Sequence, residues 1–138
     1  MGLDMSAYKT KAKFTKEVDF NDEIFGKDER GQMDYENPII ESKEIAYWRK
    51  HPDLHGWMEE LYRSKGGTEK SFNGDPVVLT EKDLDELKIA VLTGKLPNTQ
   101  GFFFGESDRN RDFEDLQFIE KAKQAINEGY TIFYDSSW

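Results

Sequence analysis

Three amphipathic stretches, each closed by glycine, constrain this chain more than any other feature. Leu84, Leu87 and Val91 line one face of the segment from Thr80 to Thr93, which Gly94 stops. Phe113, Leu116, Ile119, Ala122 and Ile126 do the same from Asp112 to Glu128, ahead of Gly129. Ile45 and Trp48, followed by Leu54, Met58 and Leu61, form a third stripe that ends at Gly66-Gly67. Apolar residues recurring every three or four positions mark a helix buried on one side, and glycine readily takes the left-handed turn that ends one. Between these stretches, Val77-Val78-Leu79, Phe102-Phe103-Phe104 and Tyr130 to Tyr134 are too short for helices and read as strands. Leu3, Met5 and Ala7 alternate with polar residues and predict a further strand at the start. Strands and helices sharing one core predict an α+β or α/β fold, a small sheet of short strands with about three helices packed on it.

Two stretches complicate that pattern. Ser42 is placed to cap a helix over 42–50, and Pro52, which cannot donate to the preceding turn, predicts a kink before a second helical piece from Asp53 to Ser64. Residues 17–36 are acidic and polar around Gly26 and Gly31, with Val18, Phe20, Ile24 and Phe25 able to dock them locally. We read 17–36 as a mobile loop or hairpin insertion in a single domain spanning 1–138.

Composition removes several classes of function. No apolar run approaches the roughly 18 residues that a membrane span needs. The first residues lack a signal-peptide pattern and there is no cysteine, so the expected location is the cytoplasm, without disulfides or thiol chemistry. A net charge of −9 works against nucleic acid and anionic membranes as partners. Three Trp, six Tyr and ten Phe are many rings for a chain whose mean hydropathy is −0.83, which predicts that some of them face a ligand or partner.

Five segments together carry a resemblance: Met1-Gly2-Leu3-Asp4-Met5; Ala46-Tyr47-Trp48-Arg49-Lys50 with His55-Gly56-Trp57; Leu79 to Leu87; Leu96-Pro97 leading into Gly101-Phe102-Phe103-Phe104-Gly105; and Tyr134-Asp135-Ser136-Ser137-Trp138. This combination resembles a family of small uncharacterised proteins of bacteriophages, prophages and bacteria, over nearly the whole chain. The chain departs from that pattern at Ser6, where tyrosine is usual, and at Pro52. No activity accompanies the resemblance, which implies a phage or prophage accessory role.

Catalytic and cofactor motifs fail on inspection. Gly66-Gly67-Thr68-Glu69-Lys70-Ser71 imitates a phosphate loop, but Glu69 stands where the last glycine belongs. Asp108-Arg109-Asn110-Arg111-Asp112 begins like a calcium loop, yet Phe113 replaces the turn glycine and Ile119 the closing glutamate, so Asp112 reads as a helix cap. His51 and His55 have metal-ligand spacing, but Pro52 lies between them and no third ligand is evident. We therefore expect no metal, no cofactor and no catalytic residue. His51 reads as a surface residue. His55 is either a buried hydrogen-bonding histidine or part of a binding site.

The candidate ligand- or partner-binding residues are Tyr47, Trp48, Arg49, Lys50, His55, Trp57, Phe102, Phe104 and Trp138. Arg49 could hold a phosphate or carboxylate while a ring stacks on the bound group. The leading expectation is a non-enzymatic accessory protein that binds and modulates a host protein, including an anti-defence role. The alternatives are a protein that binds or sequesters a small anionic ligand such as a nucleotide, and an enzyme built on His55 with Glu59.

Overall fold

The computed structural model describes residues 2–100 and 111–138. The strand expected over Phe102-Phe103-Phe104, together with most of the motif that begins at Asp108, lies outside the described residues. Along the chain the elements are β1 (Asp4–Thr10), α1 (Asn21–Ile24), β2 (Phe25–Lys27), β3 (Met33–Pro38) and β4 (Ser42–Arg49), then α2 (Pro52–Ser64), β5 (Val77–Leu79), α3 (Glu81–Leu92), α4 (Asp112–Asn127) and β6 (Thr131–Ser137). Antiparallel pairing orders the main sheet β4-β1-β6-β5, and β2 with β3 forms a separate hairpin. The fold is α+β.

Alternation in β1 sends Leu3, Met5 and Ala7 into the core with no exposed surface. On that face they meet Leu54 and Met58 of α2, Leu84, Leu87 and Val91 of α3, and Phe118, Ile119 and Ala122 of α4. The opposite face, carrying Tyr8, Val78 and Phe133, is covered by Phe14, Phe20, Ile24, Phe25 and Ile40. The ring centroids of Phe14 and Phe20 lie 4.2 Å apart, and both rings meet the edge of Phe133. The acidic stretch after Lys16 thus supplies a second small hydrophobic cluster and the β2–β3 hairpin.

Residues 42–49 form a strand, not the expected helix. Ile45 and Trp48 both point inward, which is a helical spacing, but the strand produces it with a bulge: Ala46 pairs with Ala7 and Glu44 with Tyr8, leaving Ile45 as the extra residue. Pro52 does not kink a helix. It opens α2 at the first turn, where its missing N–H has no intrahelical partner to lose. Asp112 likewise is the first residue of α4 and not its cap, which is Arg111.

α3 begins as expected on Thr80, which exchanges capping bonds with Asp83, and Gly94 follows its end at φ +67°. In α4 the expected Ile119 and Ala122 are buried and Leu116 and Ile126 pack against the core, but Asp115, Phe118 and Ala125 are buried as well and Phe113, expected inward, is 67% exposed. β6 runs three residues beyond Tyr134, and Trp138 is held by reciprocal bonds between its backbone and the Asn73 side chain and by its Nε1 on the Phe72 carbonyl. Among the described residues no helix is long and apolar enough to cross a membrane.

The loop after α3 docks on α2 through one close approach. Thr99 donates its backbone N–H to Asp53 at 3.0 Å, and a Cβ added at Gly56 would come within 1.8 Å of Thr99 Oγ1. Alanine ordinarily favours a helix over glycine by about 1 kcal/mol. Here the clash reverses the sign: Gly56→Ala is expected to cost about 2 kcal/mol and to speed amide exchange at Thr99. Urea unfolding with exchange mass spectrometry checks this, and an alanine variant as stable as the parent would contradict it.

Candidate functional site

The expected site residues separate onto different layers. Trp48 enters the core, and its Nε1 donates to Asp115 Oδ1 at 3.1 Å. His51, expected at the surface, is 2% exposed and sits 2.9 Å from the other oxygen of the same carboxylate. A carboxylate can only accept, so His51 carries its proton on Nε2. Asp115 has no exposed surface and ties the end of β4 and the entry to α2 onto α4. Both oxygens are committed to buried donors, so this triad ties three segments of the fold together.

His55 is also enclosed, at 1% exposure. Its Nδ1 lies 2.7 Å from the Tyr134 hydroxyl and its ring stacks on Phe72. Burial pushes the imidazole down to about 4, against the opposing effect of a hydrogen bond to the Phe72 backbone, so the ring is neutral at pH 7. Burial also raises the Tyr134 hydroxyl far above its usual value, so the partner of His55 is a neutral phenol. Glu59, one turn along, instead pairs with Arg63 at the surface. The His55 and Glu59 pair needed for general acid–base work is not formed.

Tyr47 and Arg49 do come together, on the sheet face opposite Trp48. Both reach one oxygen of Asp4: the Tyr47 hydroxyl donates at 2.5 Å and Arg49 Nη1 at 3.3 Å. The carboxylate that Arg49 engages therefore belongs to the chain itself. Lys50 is exposed and lies just past β4 at φ +55°, with its N–H on the Leu3 carbonyl. Trp57 is half-buried against the core, and Trp138 lies by Phe72 and Asn73. Phe102 and Phe104 lie outside the described residues.

The site that sequence reasoning missed is a surface of the sheet itself. β4 has β1 on one side and, among the described residues, no strand on the other; at its Arg49 end Arg111 Nη1 donates to the Arg49 and Lys50 carbonyls. Beside that edge runs an open groove of about 1120 Å³, bounded by Ile45 to Trp48 of β4 and by α4 residues including Phe113, Leu116, Gln117 and Lys121. Comparison with family models, with curated proteins and with solved structures returns no match. Backbone N–H and C=O groups at a free sheet edge can pair with another chain, and side chains alternating along an added strand can enter a flanking groove. The bulge at Ile45 hid the edge by imitating a helix period. The run Ile45-Ala46-Tyr47-Trp48, rich in strand-favouring residues, was the signal that could have found it.

A second feature outside the expected site is an acidic group. Asp19, Glu69 and Asp75 each place a carboxylate oxygen within 4.8 Å of the others. Residues so far apart in sequence gave no spacing to recognise. Two of the three already accept hydrogen bonds from within the chain, Asp19 from the Tyr62 hydroxyl and the Thr68 N–H, and Asp75 from the Asn73 N–H.

Proposed function

We propose that this protein is a non-enzymatic binding protein that takes an extended segment of another protein as an added strand on β4, over the groove beside α4. The single observation that carries the reading is the edge of β4 from Ser42 to Trp48, which among the described residues has no further strand beside it and lies next to a groove with an exposed aromatic wall, Phe113. The enclosure of His51, His55 and Asp115 supports binding over catalysis. The sequence resemblance to phage and prophage proteins points to a host protein as the partner, and interference with a host defence factor is the version we favour.

Selection of peptides from a random display library on the full chain tests this. Selected peptides are expected to slow amide exchange in β4 and to bind about tenfold or more weakly to Phe113→Asp, since lost apolar contact and a charge facing the groove together exceed about 1.4 kcal/mol. The side chain is mostly solvated, so the fold is expected to tolerate the change. Peptides that protect other elements, or that ignore Phe113→Asp, would overturn the reading.

A further inference from the structure

We propose that the segment taken by β4 is acidic, with carboxylates at alternate positions held by Lys43 and Lys121 at the Ser42 end of the strand. This rests on the reading of β4 as a strand-accepting edge and names the chemistry of its partner. The end concerned lies away from Arg49, whose carbonyl, with that of Lys50, already accepts from Arg111.

A net charge of −9 makes the chain as a whole a poor host for an acidic peptide, but the charge is not spread evenly. Lys9, Lys11 and Lys13, in and just after β1, gather with Lys43 of β4 beside the C-terminal end of α4, and Lys121 stands further back along the same helix on the groove wall. Two of these lysines serve the fold. α4 carries no basic residue in its last turn, and Lys11 and Lys13 supply the cations there by donating to the carbonyls of Glu128 and Gly129. Lys9 rests its ammonium 4.5 Å from the centre of the Tyr130 ring, yet it stands directly opposite Lys43 across the strand pair. Like charges so placed on a sheet cost stability. Lys43 and Lys121 are both exposed, and among the described residues neither makes an ion pair. The acids next to them in sequence are turned elsewhere, Glu44 to Ser6 on the face opposite Trp48 and Glu120 to Lys88.

Strand geometry puts both cations on the groove side. Directly paired residues share a face, so Lys43 lies with Lys9 on the side of the sheet that Ala46 and Trp48 share with Ala7 and Met5, toward α4. Trp48 meets Asp115 near the start of α4, while Lys9, opposite Lys43, meets Tyr130 beyond its end, so helix and strand run antiparallel. Lys121 stands about 9 Å along the helix from Asp115. At about 3.3 Å per strand residue, that distance from Trp48 reaches Ile45. In an added strand, the residue opposite Lys43 and the residue two places on, level with Ile45, both point toward α4. Carboxylates at those two positions meet one ammonium each, and the first also offsets the repulsion between Lys43 and Lys9.

Selection of peptides from a random display library on the full chain, with Lys43→Glu and Lys121→Glu as comparison variants, tests the proposal. Peptides that slow amide exchange in β4 are expected to carry Asp or Glu at two alternate positions, against the basic composition that the net charge alone would select. Each variant is expected to bind them about tenfold more weakly. Peptides with those acids replaced by lysine should recover binding to the variants, which also shows that the variants are folded. Lys43→Glu should at the same time raise the urea midpoint of the free protein, because it removes the repulsion from Lys9. Peptides on β4 that lack such acids, or that bind both variants as they bind the parent, would overturn the proposal and leave the strand-accepting edge standing. A lowered urea midpoint for Lys43→Glu would do the same, since the lysine would then serve the fold. Acid-bearing peptides that protect other elements, or a library that yields no binder, would remove both readings.

Discussion

Asp115→Ala is expected to lower the unfolding free energy by about 4 kcal/mol, because it strands two buried donors that each cost about 1 to 3 kcal/mol when unpaired. Those donors are the indole N–H of Trp48 and the Nε2–H of His51, and neither has solvent to turn to. Domains of this size are stable by about 5 to 15 kcal/mol, so the variant should unfold at a much lower urea concentration. Asp115→Asn is expected to lie between the two, since its amide can accept from only one of the donors. Urea unfolding by tryptophan fluorescence reports on the same site, because Trp48 is the indole that loses its partner. A loss below about 1 kcal/mol would mean that the triad contributes no more than a surface hydrogen bond.

The second large effect is a pH dependence that the parent protein conceals. His55, held down to about 4 by burial, is neutral in the folded state and takes a proton on unfolding below about 6.5. Stability from this group is full above pH 6.5 and is lost as pH falls toward 4, by about 3 kcal/mol. Asp135 acts in the opposite sense. Burial pushes its carboxyl up to about 6, with the Ser136 N–H opposing and the neighbouring charge of Asp75 adding to the rise. The folded state then holds its proton more tightly than the unfolded chain, so stability rises by about 3 kcal/mol as pH falls from above 6 to 4. The two slopes nearly cancel in the parent. Asp135→Asn removes one of them, so the variant's stability relative to the parent should be about 3 kcal/mol greater at pH 7 than at pH 4. Urea midpoints at half-unit steps of pH check it, and parallel profiles for parent and variant would contradict it.

Much of the fold was legible because local period and capping chemistry agreed. Leu3, Met5 and Ala7 could face one way only in a strand, and the Thr80 and Asp83 capping box with Gly94 bounded α3 on both sides. The misreading of 42–50 came from one residue. An extra residue at Ile45 turns a period of two into a spacing of three, and apolar period by itself does not distinguish that from a helix. Pro52 interrupts the pattern only if the preceding segment is helical; because that segment is a strand, the same proline is a helix start. Period alone places Phe113 inward, whereas the face of α4 that is buried carries Asp115 and Phe118 and leaves Phe113 in solvent.

The candidate site was less legible than the fold. Tyr47, Trp48 and Arg49 were singled out as one group, yet a strand sends Trp48 to one face and its neighbours to the other. His51 and His55 could not be placed from their own neighbourhood, since their partners Asp115 and Tyr134 lie 64 and 79 residues away. Helix stops, capping residues and the alternation of β1 are short-range facts, enforced by backbone geometry within a few residues, and the amino-acid order carries them in full. Which polar groups are buried together, which strand is left at the edge and which aromatic remains exposed depend on long-range packing, where distant segments compete for the same neighbours and only the assembled core selects among them.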